Sequence, residues 1–219
     1  MVQNSTPGTI RFRYTFKFEN GSSKTFEIVL DNTTLELVPE KDIPKPEWVK
    51  LSFFPCEHCP LEAHTEYCPV AVNLSHIVSE FKDSVSHEKT LVTVETPERT
   101  YFKETTLQKG LSSIIGIYMV TSNWPVMDKL RPMVRFHLPF ATPTETMFRT
   151  VSTYLTGQFI AMREGKKPDW ELDKLVEMYK AVSAVNKGMA RRISNASLKD
   201  ANVTAVIILH SFGDAVPYF

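Results

Sequence analysis

The fold is decided by the stretch IRFRYTFKF at residues 10–18, in which apolar and polar side chains alternate strictly. A period of two is typical of a β-strand with one buried and one solvated face. Asn20-Gly21 follows, and this dipeptide favours a tight hairpin turn because both residues tolerate positive φ. The alternation resumes over residues 26–31. The chain therefore begins with an antiparallel hairpin.

Shorter apolar alternations predict further strands beyond this hairpin, at residues 35–37, 49–53, 92–94 and 101–102. One helix, opened by Pro69, interrupts them. The first part of the chain is thus expected to form an antiparallel sheet of five to six strands.

After residue 105 the apolar residues recur at helical spacing, which predicts a region of four to five helices. Capping boxes are expected at Thr105 with Gln108 and at Thr142 with Glu145. A sheet followed by helices that pack against it is an α+β fold.

The chain divides near residue 105 into two halves of opposite charge, which we expect to pack as a single unit. Residues 1–105 form the β-rich half, with a Cys/His loop at 55–69 and one helix. They carry 11 Lys and Arg against 16 Asp and Glu. Residues 106–219 form the helical half, with 14 against 9. This complementarity predicts that the halves pack together or pair between chains in a homo-oligomer.

Composition excludes several classes of protein. Zero formal charge argues against a nucleic-acid binder, because phosphate contacts need an excess of Lys and Arg. The apolar stretches are too short to span a membrane. Three cysteines do not make a secreted disulfide framework, so a cytoplasmic location is expected.

The segment PCEHCPLEAHTEYCP at residues 55–69 could carry chemistry. Cys56, Cys59, His64 and Cys68 have the spacing C-x2-C-x4-H-x3-C, one residue shorter than a retroviral-type zinc knuckle. Thiolates and imidazole are the ligands that tetrahedral zinc prefers. The sequence therefore predicts a zinc site, with an iron–sulfur cluster less favoured. His58 and His76 are alternatives to His64 as the fourth ligand.

Two other interpretations of this segment stay open. Cys56-Glu57-His58-Cys59 resembles a thioredoxin-like active site, in which a helix N-terminus lowers the pKa of the first thiol. The chain would then be a thiol-disulfide oxidoreductase. Alternatively, the three cysteines are inert and partly buried.

A second candidate site surrounds His137, which could act as an acid or a base near neutral pH. Arg131 and Arg135 precede it, and Glu145 and Arg149 follow. Arginine binds carboxylate or phosphate in a bidentate manner, so this group predicts a small anion-binding protein or an enzyme.

Two motifs carry a resemblance to a known family. They are CxxCPL at residues 56–61 with CPVA at 68–71, and RPMxRFHLPF at 131–140. The chain resembles an uncharacterised bacterial protein family over about residues 10 to 210. This resemblance implies a bacterial cytosolic protein that folds as one unit, and it implies no activity, substrate or cofactor.

The leading hypothesis is a binding or regulatory module with a structural Cys/His metal site. We find no Walker A loop, dinucleotide-binding fingerprint, nucleophile elbow or zincin motif in the sequence, which favours a non-enzymatic protein.

Overall fold

In the computed structural model, the alternating stretch at residues 10–18 becomes an inner strand of a four-stranded sheet. The structure describes residues 8–38, 45–56, 59, 61 and 64–215. The strands are β1 (Thr9–Phe18), β2 (Ser23–Asp31), β3 (Lys89–Glu95) and β4 (Thr100–Thr106); the α-helices are α1 (Pro69–Glu80), α2 (Leu107–Val120), α3 (Pro143–Arg163), α4 (Asp173–Ser194) and α5 (Ala201–Ala215); 3-10 helices cover Glu47–Val49 and Met127–Phe136. The predicted α+β class is confirmed.

The sheet is antiparallel throughout, in the order β2-β1-β3-β4. Tyr14 pairs with Phe26 of β2 on one side and with Val94 of β3 on the other. Every second residue of β1 from Phe12 to Phe18 is buried, as the alternation predicts. A one-residue shift in register would expose this whole face, so the hydrophobic pattern specifies the pairing.

The predicted count of five to six strands is too high for the described residues, which form four. Leu37 makes a single bridge to Leu30, and Leu35 has a φ of 59° that no regular strand tolerates. The expected strand at 49–53 is replaced by a 3-10 helix and turns, with one bridge between Lys50 and Tyr67. Short apolar runs do not distinguish a strand from a packed turn.

Helix α2 packs closely against the sheet. An added Cβ at Gly110 would lie 2.8 Å from Val92 and 2.9 Å from Phe16. The predicted capping box of Thr105 and Gln108 is absent. Instead, the first amides of α2 donate to the carbonyls of Glu88 and Ser86, at 2.8 Å from Leu107 and 3.0 Å from Gln108. Tertiary contact has replaced the side-chain cap.

The core contains residues from both predicted halves. Phe16 of β1, Ile114 of α2 and Val206 of α5 belong to one buried cluster. The boundary at residue 105 lies inside β4. The division into two halves stays a prediction. In the described parts of the chain, no helix combines the length and the hydropathy needed to cross a membrane.

Helix α3 begins as predicted, with Thr142 and Glu145 forming a capping box at 2.7 and 3.2 Å. The apolar residues that recur at helical spacing in α3 do not form a buried face. Thr150 is the one buried residue of the helix, whereas Phe148 is 72% exposed. Apolar residues at helical spacing usually face a core, but in α3 most of that side is exposed.

Candidate functional site

The cysteine segment is closed at its base by short antiparallel contacts. The amide of Leu51 donates to Glu66 at 2.9 Å, and that of Cys68 donates to Val49 at 2.9 Å. Between these contacts the chain turns, and the Cys59 amide donates to the Cys56 carbonyl at 3.2 Å. This closure brings the start and the end of the segment together, with Cys68 at the base.

Cys68 is the N-cap residue of α1, and Pro69 is the first residue of that helix. The thiol is buried, and desolvation raises its pKa. The backbone amides of Ala71 and Val70 act in the opposite direction, as expected at a helix N-terminus. Burial is the stronger effect, so this thiol is protonated at neutral pH.

Helix α4 forms the other wall of the site. Gly188 leaves the space that Cys56 occupies, because a Cβ at position 188 would lie 2.6 Å from the Cys56 sulfur. Arg192 is one turn further along the same side of the helix. The loop that carries Cys56 therefore rests against the C-terminal half of α4.

Arg192 is fully buried, at 0% exposure. Its Nη1 donates to the carbonyls of Trp48 at 2.7 Å and Lys50 at 2.6 Å, and its Nη2 lies 3.4 Å from those of Leu51 and Phe54. Burial lowers its pKa, and the three nearby thiols oppose this effect. No carboxylate of the described residues pairs with this cation.

The thiols influence one another. Burial raises the pKa of Cys56 to about 11, and Cys68 and then Cys59 add to the increase, while Arg192 opposes it. Cys59 and Cys68 are thus close enough to affect the pKa of Cys56, and all three thiols affect that of Arg192. Without a metal, the Cys56 and Cys68 thiols are neutral at pH 7.

The proposed nitrogen ligands are dispersed. His64 is exposed, and His76 is exposed on α1 with its ring 5.6 Å from that of Phe26. His58 lies outside the described residues. Over the parts of the chain that the structure describes, no group of three or more His, Cys, Asp or Glu side chains is arranged to hold a metal ion. The metal site therefore stays a prediction.

The thiol-redox interpretation requires a Cys56 thiol with a lowered pKa at a helix N-terminus. The pKa of Cys56 is raised, and the cysteine at a helix N-terminus is Cys68. Glu57 and His58 lie outside the described residues.

The second candidate site contains a hydrogen-bonded cluster that the sequence did not predict. His137 Nε2 lies 2.6 Å from the Tyr14 hydroxyl and 3.4 Å from that of Ser113. The two hydroxyls are 2.9 Å apart. Burial raises the pKa of Tyr14, so its hydroxyl stays protonated and is able to donate to Nε2 and to accept from Ser113. We call these three residues the His137 cluster.

The two preceding arginines hold the loop after β2. Arg131 donates to the Thr34 carbonyl at 3.3 Å and pairs with Asp128. Arg135 binds the side chain of Asn32 at 2.9 Å and also its carbonyl. Neither side chain points to the His137 cluster.

The two following residues also have structural partners. Glu145 completes the capping box of α3, and Arg149 turns away from it to donate to the Met133 carbonyl at 2.9 Å. Arg149 is close enough to His137 to affect its pKa. Of the five predicted residues, the structure thus brings His137 and Arg149 together. The binding role of the group stays a prediction.

The His137 cluster predicts a pH-dependent stability. Burial, with a smaller contribution from Arg149, lowers the pKa of His137 to about 3, whereas an unfolded histidine titrates near 6.5. Between these values the unfolded state binds the proton and the folded state does not, so stability is full above the unfolded pKa and falls with acidification. We expect the free energy of unfolding to fall between pH 7 and pH 5 by about 1 to 2 kcal/mol more for the native protein than for His137→Gln.

Urea denaturation at both pH values measures this difference. His87→Gln is the matched control because His87 is exposed, and it should retain the native pH dependence. An equal loss of stability in the native protein and His137→Gln would contradict the assignment.

Sequence reasoning missed Arg192, Tyr14 and Ser113. A signal existed for Arg192, which continues the buried stripe of Val185 and Met189 at helical spacing. Tyr14 was assigned to the buried face correctly, but its hydrogen-bond partners come from distant segments.

The fold and the site together define a class of protein: an α+β protein whose cysteine loop lies against a helix that carries a buried arginine. The chain belongs to the family described as a domain of unknown function, DUF6901, whose model matches residues 12–219. The predicted resemblance to an uncharacterised family is thereby confirmed. Comparison with curated proteins and with solved structures found no match.

Proposed function

We propose that this protein is a binding or regulatory module organised around a structural metal site, with zinc as the metal. Cys56, Cys59 and Cys68 would supply thiolate ligands, and a histidine of the same segment, His64 or His58, would supply the fourth. An iron–sulfur cluster is the less favoured occupant. We place the protein in the cytoplasm, where thiols stay reduced.

The buried charge of Arg192 is the observation that carries this proposal. A buried cation is costly unless an anion and hydrogen bonds compensate it. Carbonyl groups accept from its Nη1 and Nη2, its Nε is buried without a partner among the described residues, and the neighbouring ionisable groups are three thiols. Zinc bound by three thiolates and a neutral histidine has a net charge of −1, which would balance the guanidinium.

Metal binding would also remove the protons from the thiols. Burial keeps Cys56 and Cys68 protonated in the absence of metal. A coordinating thiol is deprotonated, so binding would release protons to solvent. The metal would then join the cysteine loop to the N-terminus of α1 and to α4. At such a site the binding free energy stabilises the fold.

The experiment is a metal titration of the reduced, metal-free protein. We expect about one zinc per chain by elemental analysis, with cobalt(II) giving thiolate charge-transfer absorbance. Cys59→Ser should weaken zinc binding by at least about 100-fold. Arg192→Met should weaken it about 10-fold, because it removes the cation that would balance the net negative charge of the site from outside the ligand set.

The matched control for the nitrogen ligand is His87→Gln, which removes an exposed imidazole on another segment. It should bind zinc as the native protein does, and His64→Gln and His58→Gln identify the fourth ligand by which of them loses affinity. Absence of stoichiometric metal from the reduced protein, or equal affinity in Cys59→Ser, would refute the proposal.

The two alternatives have less support. An oxidoreductase needs a more acidic Cys56 thiol, and an anion site needs arginines that converge on His137. Arg131 and Arg135 bind the loop after β2 instead.

A further inference from the structure

Helix α3 has a large apolar surface that the described residues leave uncovered. Phe148, Phe159 and Met162 are 72%, 51% and 40% exposed. With Ser152 and Leu155 they follow one another at intervals of three or four residues, so they form one stripe along the helix. We call these five residues the α3 face. Isolated exposed apolar residues are ordinary, but an exposed contiguous patch marks an interaction site.

The α3 face is distinct from the side that holds the helix to the protein. That inner side consists of Met147, Val151 and Tyr154, which pack against Leu175, Met178 and Tyr179 of α4. A partner could therefore cover the α3 face without any rearrangement of this packing. The 21-residue helix is about 31 Å long, so its stripe can support an extended contact.

The distribution of residues along α3 fits a second copy of the same helix in the antiparallel direction. Phe148 near the start and Phe159 near the end have their midpoint close to residue 154. Glu145 and Arg163, which have opposite charges, have their midpoint at residue 154. A twofold axis at this point would place the Phe148 of one protomer near the Phe159 of the other, with Glu145 opposite Arg163.

The residues close to this axis favour close approach. Ser152 and Leu155 have the same midpoint as Phe148 and Phe159, so the small Ser152 of one protomer would lie opposite the larger Leu155 of the other. Self-complementarity of this kind is what an interface with twofold symmetry requires.

We propose that the α3 face is the interface of a homodimer in which two α3 helices pack antiparallel. The proposal does not depend on the metal site. It also differs from the pairing of acidic and basic halves that the charge asymmetry predicts, because α3 lies wholly in the basic half.

The first test compares two aspartate substitutions by sedimentation velocity over a range of protein concentrations. The native protein should be a dimer at micromolar concentration. Phe159→Asp should weaken the dimer at least about 100-fold, because it places a charge in an apolar contact. Leu198→Asp is the matched control, since Leu198 is 82% exposed and lies outside α3, and it should remain dimeric.

The second test determines the direction of packing. Arg163→Glu should weaken an antiparallel dimer about 10-fold, because at each end of the interface it puts a glutamate opposite the Glu145 of the other protomer. An equimolar mixture of Arg163→Glu and Glu145→Lys should recover association as a mixed dimer. In a parallel dimer Arg163 faces its own copy, and Arg163→Glu would not weaken it.

Each outcome decides the proposal. A native protein that stays monomeric at all concentrations overturns it and assigns the α3 face to another occupant. Equal effects of Phe159→Asp and Leu198→Asp overturn it as well. An Arg163→Glu variant as tightly associated as the native protein overturns the antiparallel arrangement.

Discussion

Arg192→Met is expected to lower the free energy of unfolding by about 3 kcal/mol in the metal-free protein. Methionine preserves much of the volume but donates no hydrogen bond. The Trp48 carbonyl, whose hydrogen bond to Nη1 is 2.7 Å long, would be left buried without that donor. A further bond to the Lys50 carbonyl would also be lost. These bonds connect α4 to the base of the cysteine segment, so we expect both to loosen.

The neighbouring arginine provides the control. Arg191 is exposed, and its guanidinium lies 5.1 Å from the centre of the Phe54 ring. Arg191→Met removes the same charge from the same helix, and it should cost less than about 1 kcal/mol. Chemical denaturation of both variants measures the difference. If Arg192→Met and Arg191→Met lose similar amounts of unfolding free energy, the buried hydrogen bonds of Arg192 do not stabilise the fold as proposed.

Two glycines of α2 should respond to alanine in opposite directions. At Gly110 a Cβ would lie 2.8 Å from the Val92 side chain and 2.9 Å from Phe16. Such overpacking costs about 2 kcal/mol, and it displaces the helix from the sheet. At Gly116 the nearest atom belongs to Leu209, at 3.7 Å, which is ordinary contact. Gly116→Ala should therefore stabilise the protein by up to about 1 kcal/mol, because alanine favours the helix.

Thermal and urea denaturation measure whether each substitution raises or lowers the free energy of unfolding. The cause can be checked with Val92→Ala, which removes one of the two clashing side chains. In a double-mutant cycle, Gly110→Ala should cost less in the Val92→Ala background than in the native one. A Gly110→Ala variant as stable as Gly116→Ala would contradict the close approach of α2 to the sheet.

Local patterns predicted the elements whose signals lie within a few residues. The hairpin of β1 and β2 follows from alternation and an Asn-Gly turn, and the start of α3 from a capping box. The strand predicted at 49–53 was wrong because its apolar residues pack from the end of a 3-10 helix and from turns. The cap predicted for α2 was wrong because carbonyls from the loop before β3 accept its first amides.

The candidate sites were also predicted only where their signal is local in the sequence. Spacing alone singled out Cys56, Cys59 and Cys68, and in the structure Cys68 and Cys59 contribute to the raised pKa of Cys56. Spacing could not supply Arg192, whose contacts with the cysteine segment span more than 130 residues of chain. Nor could it show that Arg135 binds Asn32 instead of joining His137.

By itself, the sequence determined the α+β class, the strand alternation and the cysteine spacing, since each depends on backbone periodicity or on chemistry within one short segment. The tertiary structure alone decided that Arg192 is buried beside the thiols, that His137 is neutral against Tyr14, and that α3 presents an apolar side to solvent. These properties depend on which distant segments exclude water from a side chain, and no local pattern encodes that exclusion.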